Sequence, residues 1–147
     1  MSIMRKRFVM KKHIILLPVL LVVLVLLTSC ASGTSDSFNS EQAGYYKITA
    51  EEAKARIDSG DDMIILDVRT QEEYNTEHIE GAILIPNETI ANTQPELLPD
   101  LDAEILIYCR SGNRSGQAAE KLVDMGYTRI YDFGGIINWP YATVKGP

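Results

Sequence analysis

The stretch ILIYCRSGNRSGQAAEKLVDM, from Ile105 to Met125, decides the fold of this chain. It opens with an apolar run, Ile105 to Tyr108, which predicts a buried strand. Further along, apolar residues recur at helical spacing, and these are Ala118, Ala119, Leu122 and Val123. Gly126 follows at the place where a left-handed residue ends many helices. The stretch therefore predicts a strand and a helix joined by a tight turn.

The turn contains a cysteine and two arginines. Its sequence is Cys109-Arg110-Ser111-Gly112-Asn113-Arg114. Successive backbone N–H groups of such a turn point inward above a helix N-terminus, and together they favour an anion. This setting favours the thiolate of a cysteine, which is the nucleophilic form. The pattern predicts Cys109 as a catalytic nucleophile rather than a small core residue.

The rest of the folded region alternates between strand and helix patterns. Strands are predicted over Tyr46–Ile48, Met63–Val68, Ala82–Ile85 and Arg129–Asp132. Capping-box patterns, Thr49-Ala50-Glu51-Glu52 and Thr70-Gln71-Glu72-Glu73, open two helices, and Gly60 ends the first. In the stretch Asn87–Ala103, broken by two prolines, the leucines are expected to tuck inward: Leu97, Leu98 and Leu101. The alternation predicts one α/β domain with a mainly parallel sheet flanked by helices.

Several motifs together resemble a known family. The turn and its flanks read CRSGNRS, and upstream stand ILDVR (Ile65–Arg69), EEY (Glu72–Tyr74), HIEGA (His78–Ala82) and Ile85-Pro86. Downstream stand Gly134-Gly135 and Trp139. In this order they resemble a single-domain rhodanese, a sulfurtransferase, over roughly Tyr46 to Tyr141. The chain departs from the family pattern at Glu80, where the family usually has proline.

The resemblance implies a rhodanese-like domain whose cysteine carries sulfur. Cys109 would take a sulfane sulfur from a small anionic donor, such as thiosulfate or a persulfide, and pass it to cyanide or a thiol. The turn would bind the donor through Arg110, Ser111, Gly112, Asn113 and Arg114. Arg110 would serve anionic donors, and Arg114 would shape the loop and attract anions. No cofactor is implied, because sulfur itself is the carried group, and no metal site is predicted.

Other residues of the family motifs receive structural interpretations. Asp67 and Arg69 follow the predicted strand and are expected to tie its end to adjacent loops. His78 could act as a base for a cysteine, but its place in the HIEGA motif favours a structural role. Trp139 is expected to pack in the core.

Two alternative functions remain open on the sequence. A cysteine phosphatase or arsenate reductase could use the same scaffold, but four residues separate Cys109 from Arg114, whereas the related phosphatases have five. The shorter loop favours a single sulfur atom over a tetrahedral phosphate. The other alternative is a non-catalytic sulfur-relay or interaction module at a membrane.

The first residues resemble a bacterial lipoprotein signal peptide. Five basic residues precede an apolar run, Ile14 to Leu27, which is short for a membrane span. Leu27-Thr28-Ser29-Cys30 resembles a lipobox, which implies cleavage before Cys30 and a lipid on its sulfur. We expect residues 1–29 to be the signal peptide, residues 30–44 the lipidated cysteine and a flexible tether, and residues 45–147 the domain.

The net charge of the mature chain limits the classes of partner that it can bind. Five of the 14 basic residues and none of the 20 acidic ones precede Cys30, so the mature part would carry nine basic and 20 acidic residues, a net charge of −11. Such an acidic body argues against nucleic acid. We expect a monomer held to the membrane by its lipid, with the domain on the extracytoplasmic side.

Overall fold

The computed structural model describes residues 44–146 of the chain. The predicted signal peptide, Cys30 and nearly all of the predicted tether lie outside these residues, so the structure does not bear on them. Within the described range the strands are β1 (Tyr45–Lys47), β2 (Ile64–Asp67), β3 (Ile83–Leu84), β4 (Ile105–Cys109) and β5 (Ile130–Gly135). The helices are α1 (Ala50–Ser59), α2 (Gln71–Thr76) and α3 (Asn113–Asp124), with 3₁₀ turns at Asn87–Thr89 and Ile136–Asn138.

Both predicted capping boxes are present. The Glu52 amide donates to the Thr49 hydroxyl at 3.1 Å, and the Thr49 amide donates to the Glu52 carboxylate at 2.7 Å. The same reciprocal pair joins Thr70 and Glu73, at 3.2 and 3.1 Å. Each box satisfies amides that the first helical turn would otherwise leave unpaired. These local bonds fix where α1 and α2 begin.

The five strands form one parallel sheet in the order β1-β5-β4-β2-β3. The predicted single α/β domain with a parallel sheet is therefore confirmed. Strand β5 runs further than the predicted end at Asp132 and reaches Gly135. It does so because the register between β4 and β5 shifts after Ile107, which brings Cys109 opposite Gly135.

Strand β4 lies at the centre of the sheet and is buried along its whole length. Successive side chains of a strand point to opposite faces. Ile105, Ile107 and Cys109 accordingly join the core cluster that contains the buried residues of α3. Leu106 and Tyr108 join the opposite cluster, which is rich in aromatic side chains. The cysteine at the end of β4 thus lies on the α3 side of the sheet.

The stretch between the first 3₁₀ turn and β4 differs from the sequence prediction. Leu98 is fully buried, as expected, and its carbonyl accepts a hydrogen bond from the Tyr127 hydroxyl at 2.5 Å. The inward prediction is wrong for Leu97, which is 59% exposed, and for Leu101, which is 37% exposed. A tight turn from Pro95, whose carbonyl accepts from the Leu98 amide, presents only one of the two adjacent leucines to the core.

The last described residues fold back onto α2. His78 and Val144 form an antiparallel bridge with two amide–carbonyl hydrogen bonds of 2.8 Å. The Gly146 amide donates to the Asn75 carbonyl at 3.1 Å. Within residues 44–146, the helices are all too short or too polar to cross a membrane.

Candidate active site

Cys109 is the last residue of β4, at the carboxyl end of a parallel strand. Such ends are the usual location of sites in open α/β sheets. The side chain is 1% exposed, and its sulfur accepts a hydrogen bond from the Gly112 amide at 3.0 Å. An amide aimed at the sulfur stabilises the thiolate more than the thiol. The structure thus places the predicted nucleophile at the end of a buried strand, with a backbone amide of its own turn donating to the sulfur.

Gly112 shapes the turn between β4 and α3. Its backbone angles, φ 101° and ψ −14°, lie in a left-handed region that favours glycine. It occupies the N-cap position of α3, and in the described part of the chain no side chain caps that helix. The helix N-terminus is therefore left with uncapped amides facing the turn, which suits an anion.

Ser115 uses its side chain rather than only its amide. Its hydroxyl lies 3.1 Å from the Gly112 carbonyl oxygen and 3.3 Å from the Gly134 carbonyl oxygen. The serine is fully buried. It links the turn to the end of β5, a contact that the sequence patterns did not predict.

Gly134 and Gly135 support the turn from β5. A Cβ on Gly135 would lie 2.5 Å from the Arg110 carbonyl oxygen and 2.6 Å from the Ser111 Cα. Two backbones therefore approach so closely that only glycine fits between them. The Ile137 amide adds a hydrogen bond to the Arg110 carbonyl at 3.3 Å. The backbone of the Gly134-Gly135 motif thus packs directly against the backbone of the cysteine turn.

Arg114 points to a carboxylate on another helix. Its guanidinium donates two hydrogen bonds to the Glu73 carboxylate, at 2.7 and 2.8 Å. Hydrogen bonding to Arg114 lowers the pKa of Glu73 to about 2, and the same bond raises the pKa of Arg114. Both groups are thus charged across the physiological range. In the sequence Glu73 belongs to a capping box and to the EEY motif, and neither pattern predicts a contact with Arg114.

Arg110 has a different setting. It is exposed, and within residues 44–146 none of the ion pairs involves it. Ser111 and Asn113 are exposed beside it, and the Asn113 side-chain oxygen accepts from Gln117 at 2.9 Å. The structure therefore brings the predicted turn residues together around Cys109, with one paired and one solvent-facing arginine.

Asp67 and Arg69 form a buried ion pair at the end of β2. The Arg69 guanidinium donates to the Asp67 carboxylate at 2.6 Å and to the Glu77 carbonyl at 2.6 Å. These bonds tie the strand end to the segment after α2, as the structural interpretation predicted. All four hydrogen bonds from Arg69 to Asp67 lie between 2.6 and 3.0 Å.

His78 and Trp139 also have structural surroundings. The His78 ring stacks on Tyr74 with centroids 3.8 Å apart, and its Nδ1 lies 2.9 Å from the Tyr74 carbonyl oxygen. Trp139 packs between Phe133 and Tyr141 in the aromatic core cluster. In the described part of the chain, no group of three His, Cys, Asp or Glu side chains is arranged to hold a metal ion.

The fold is thus a parallel α/β sheet with a cysteine at a strand end, in a turn that opens a helix, where sites of such sheets usually lie. The sequence model of the family described as the rhodanese-like domain matches residues 49–140, more than half of the chain. The chain belongs to this rhodanese-like family.

Known relatives agree with this assignment. The chain is 40% identical over 81 residues to the thiosulfate sulfurtransferase PspE of Escherichia coli strain K12, covering 55% of this chain and 78% of that protein. It is 36% identical over 94 residues to a sulfurtransferase of Allochromatium vinosum, covering 63% and 86%. A solved structure described as a rhodanese with anions from E. coli superposes with a TM-score of 0.53 at 38% identity, covering 57% of this chain and 99% of that one. These likenesses support a rhodanese-type sulfurtransferase.

Proposed function

We propose that this protein transfers a sulfane sulfur from a donor such as thiosulfate or a persulfide to cyanide or a thiol, and that Cys109 carries it. The observation that supports this most directly is the Cys109 sulfur, which lies 3.0 Å from the Gly112 amide at the uncapped N-terminus of α3. The similarity to sulfurtransferases supports the reaction class.

The first half-reaction loads the cysteine. The Cys109 thiolate attacks the outer sulfur of thiosulfate, a sulfur–sulfur bond forms to Cys109, and sulfite leaves with the electron pair of the broken bond. The product is a Cys109 persulfide anion, which needs hydrogen-bond donors as much as the thiolate did. Because Cys109 is 1% exposed, a donor must present an unhindered terminal sulfur, which thiosulfate and persulfides have.

The second half-reaction unloads it. Cyanide or a thiolate attacks the outer sulfur of the persulfide, and the Cys109 thiolate leaves with the electron pair. With cyanide the product is thiocyanate. The enzyme returns to its starting state without an external oxidant or reductant, which is the pattern of ping-pong covalent catalysis.

Mass spectrometry of the purified protein tests this proposal. Thiosulfate should add one sulfur, about 32 Da, to the peptide that contains Cys109, and cyanide should remove it with release of thiocyanate. Cys109→Ser should abolish both steps, because a hydroxyl is not appreciably ionised and cannot carry the sulfur. The peptide that contains the other cysteine of the chain, Cys30, should have the same mass before and after treatment.

The outcome also separates the alternatives. A Cys109 adduct without steady-state turnover would identify a sulfur-relay module. No adduct from thiosulfate or from a persulfide, with an intact thiol on Cys109, would contradict the sulfurtransferase proposal.

A further inference from the structure

The two arginines of the cysteine turn differ in whether their charge is compensated. Arg114 forms a bidentate pair with Glu73, and the two side chains are only 24% and 27% exposed. A paired cation and anion at this distance present almost no net charge to a third group. Arg110 is exposed and has no ion-pair partner among residues 44–146.

The Glu73–Arg114 pair lies at the N-terminus of α3, next to the cysteine turn. Arg114 stands in the first turn of α3, and that turn contains no acidic residue of its own. An arginine there opposes the helix dipole, which favours negative charge at the N-terminus. Glu73 supplies the missing negative charge from α2, and its own position is fixed by the capping box with Thr70.

We infer that Glu73 is a positioning residue that sets the anion selectivity of the cysteine turn: it neutralises Arg114 and leaves Arg110 to meet a negatively charged donor. The inference deepens the proposed function and rests on it for the choice of thiosulfate as donor. The electrostatic effect of Glu73 on Cys109 applies to any anion that approaches the thiol, whatever the natural donor is.

Removing the Glu73 charge should therefore speed the reaction of anions with Cys109, whereas general damage to the site would slow it. In Glu73→Gln the Arg114 charge is no longer compensated, so anions should approach Cys109 more readily. Glutamine also suits the third position of a capping box, so α2 keeps its start. Glu72→Gln is a matched control, because it removes the same charge from the adjacent exposed position.

The ratio of two alkylation rates measures this field. Iodoacetate is an anion and iodoacetamide is neutral, yet the same Cys109 thiolate attacks the CH₂ carbon of both and displaces iodide. The ratio of the two rates therefore cancels the ionised fraction and the accessibility of the sulfur. The rates are measured at Cys109 by peptide mass spectrometry of the full chain at neutral pH and low salt. Because surface charges are screened by salt, any real field effect should shrink when salt is added.

Glu73→Gln should raise the iodoacetate-to-iodoacetamide ratio roughly two- to fivefold, and Arg110→Gln should lower it by a similar factor. The double variant Glu73→Gln with Arg114→Gln should bring the ratio back to the wild-type value, since it removes both members of the pair. Glu72→Gln should leave the ratio near wild type.

Two results would overturn the inference. One is a ratio in Glu73→Gln no higher than in Glu72→Gln; the other is a double variant with a ratio as low as that of Arg110→Gln, which would mean that Arg114 meets the anion itself. Thiosulfate kinetics give a second readout, in which the KM should fall in Glu73→Gln and rise in Arg110→Gln. If the wild-type protein accepts no sulfur, the proposed function fails, and the alkylation ratio still decides the inference.

Discussion

Cys109 combines two properties that usually conflict in a nucleophile. Its sulfur is almost completely buried, yet it accepts a hydrogen bond from the Gly112 amide and lies at the start of α3. Burial alone disfavours a thiolate. A backbone amide and a helix N-terminus favour negative charge and oppose that effect. The Cys109 sulfur thus keeps a hydrogen-bond donor from its own turn although it is almost closed off from solvent.

The Glu73–Arg114 pair should contribute to stability in a pH-dependent manner. The pKa of Glu73 is lowered from 4.5 to about 2 in the folded protein, chiefly by the hydrogen bond from Arg114. A carboxyl with a depressed pKa stabilises the fold above its unfolded pKa and stops doing so as the pH falls through its folded pKa. We expect the wild type to exceed Glu73→Gln in free energy of unfolding by about 1 kcal/mol at neutral pH.

Denaturant unfolding of both proteins between pH 2 and pH 7 tests this expectation. The difference should stay constant down to a pH near 4.5 and disappear toward pH 2, the two limits of the Glu73 carboxyl. Glu72→Gln serves again as the control for general charge effects. A difference that is independent of pH would show that the carboxylate charge does not stabilise the fold.

Glu73 also marks the limit of sequence reasoning at the residue scale. The place of Cys109 at the end of a strand was predictable because an apolar strand, a turn with arginines and a helix pattern meet at one position. The partner of Arg114 was not, because 41 positions separate it from Glu73 along the chain and the capping box already accounted for that glutamate. The capping box already explained why a glutamate stands at this position, so nothing in the sequence indicated that Glu73 also contacts Arg114.

At the scale of elements, the starts of helices were predictable and the ends of strands were not. Capping boxes are local, so Thr49 and Thr70 mark the helix starts correctly. Strand ends depend on the neighbouring strand, and β5 extends to Gly135 because it pairs with Cys109 beyond the shift in register. Leu97 was mispredicted for a different reason: the tight turn from Pro95 to Leu98 presents only one of the two adjacent leucines to the core.

The contact between β5 and the cysteine turn can be tested with Gly135→Ala. The added Cβ would lie 2.5 Å from a backbone oxygen, which cannot rotate away as a side chain could. We expect a loss of about 1–3 kcal/mol in the free energy of unfolding, together with a slower reaction of Cys109 because the turn must move. Chemical denaturation and the Cys109 alkylation rate measure the two effects.

Gly116→Ala is the matched control for this experiment. Gly116 lies inside α3, and a Cβ there would meet only the Tyr45 hydroxyl at 3.5 Å, an ordinary contact. Alanine in a helix interior is favoured over glycine by about 0.5–1 kcal/mol. Gly116→Ala should therefore be at least as stable as wild type. If Gly135→Ala is equally stable, the close backbone approach does not constrain the turn.

At the scale of the whole molecule, the parallel order of the sheet explains how distant motifs form one site. The carboxyl ends of β4 and β5 lie side by side, so the cysteine turn and the Gly134-Gly135 motif meet at one edge. The α/β class followed from the alternation of strand and helix patterns along the chain. The predicted boundary of the domain at residue 45, and the expected monomer, remain predictions.

The attachment of the domain to a membrane is a separate prediction, since it rests on residues outside the described range. A basic segment, a short apolar run and Leu27-Thr28-Ser29-Cys30 indicate a lipidated cysteine. More than one acyl chain on this residue would anchor the protein stably. Cys30→Ala should stop lipidation and leave full-length precursor in the membrane fraction, as judged by intact-mass analysis and metabolic labelling with a fatty acid. Wild-type protein that keeps Met1–Ser29 and carries no lipid would contradict this reading.

The backbone bridge between His78 and Val144 has a practical consequence for handling the protein. This bridge, with the bond from Gly146 to Asn75, fastens the end of the described chain to the helix that bears Glu73. A purification tag or reporter joined near Val144 could therefore disturb the contacts with α2. A peptidase that removes these residues would eliminate the contacts. Measurements of anion preference should thus compare proteins whose final residues are identical.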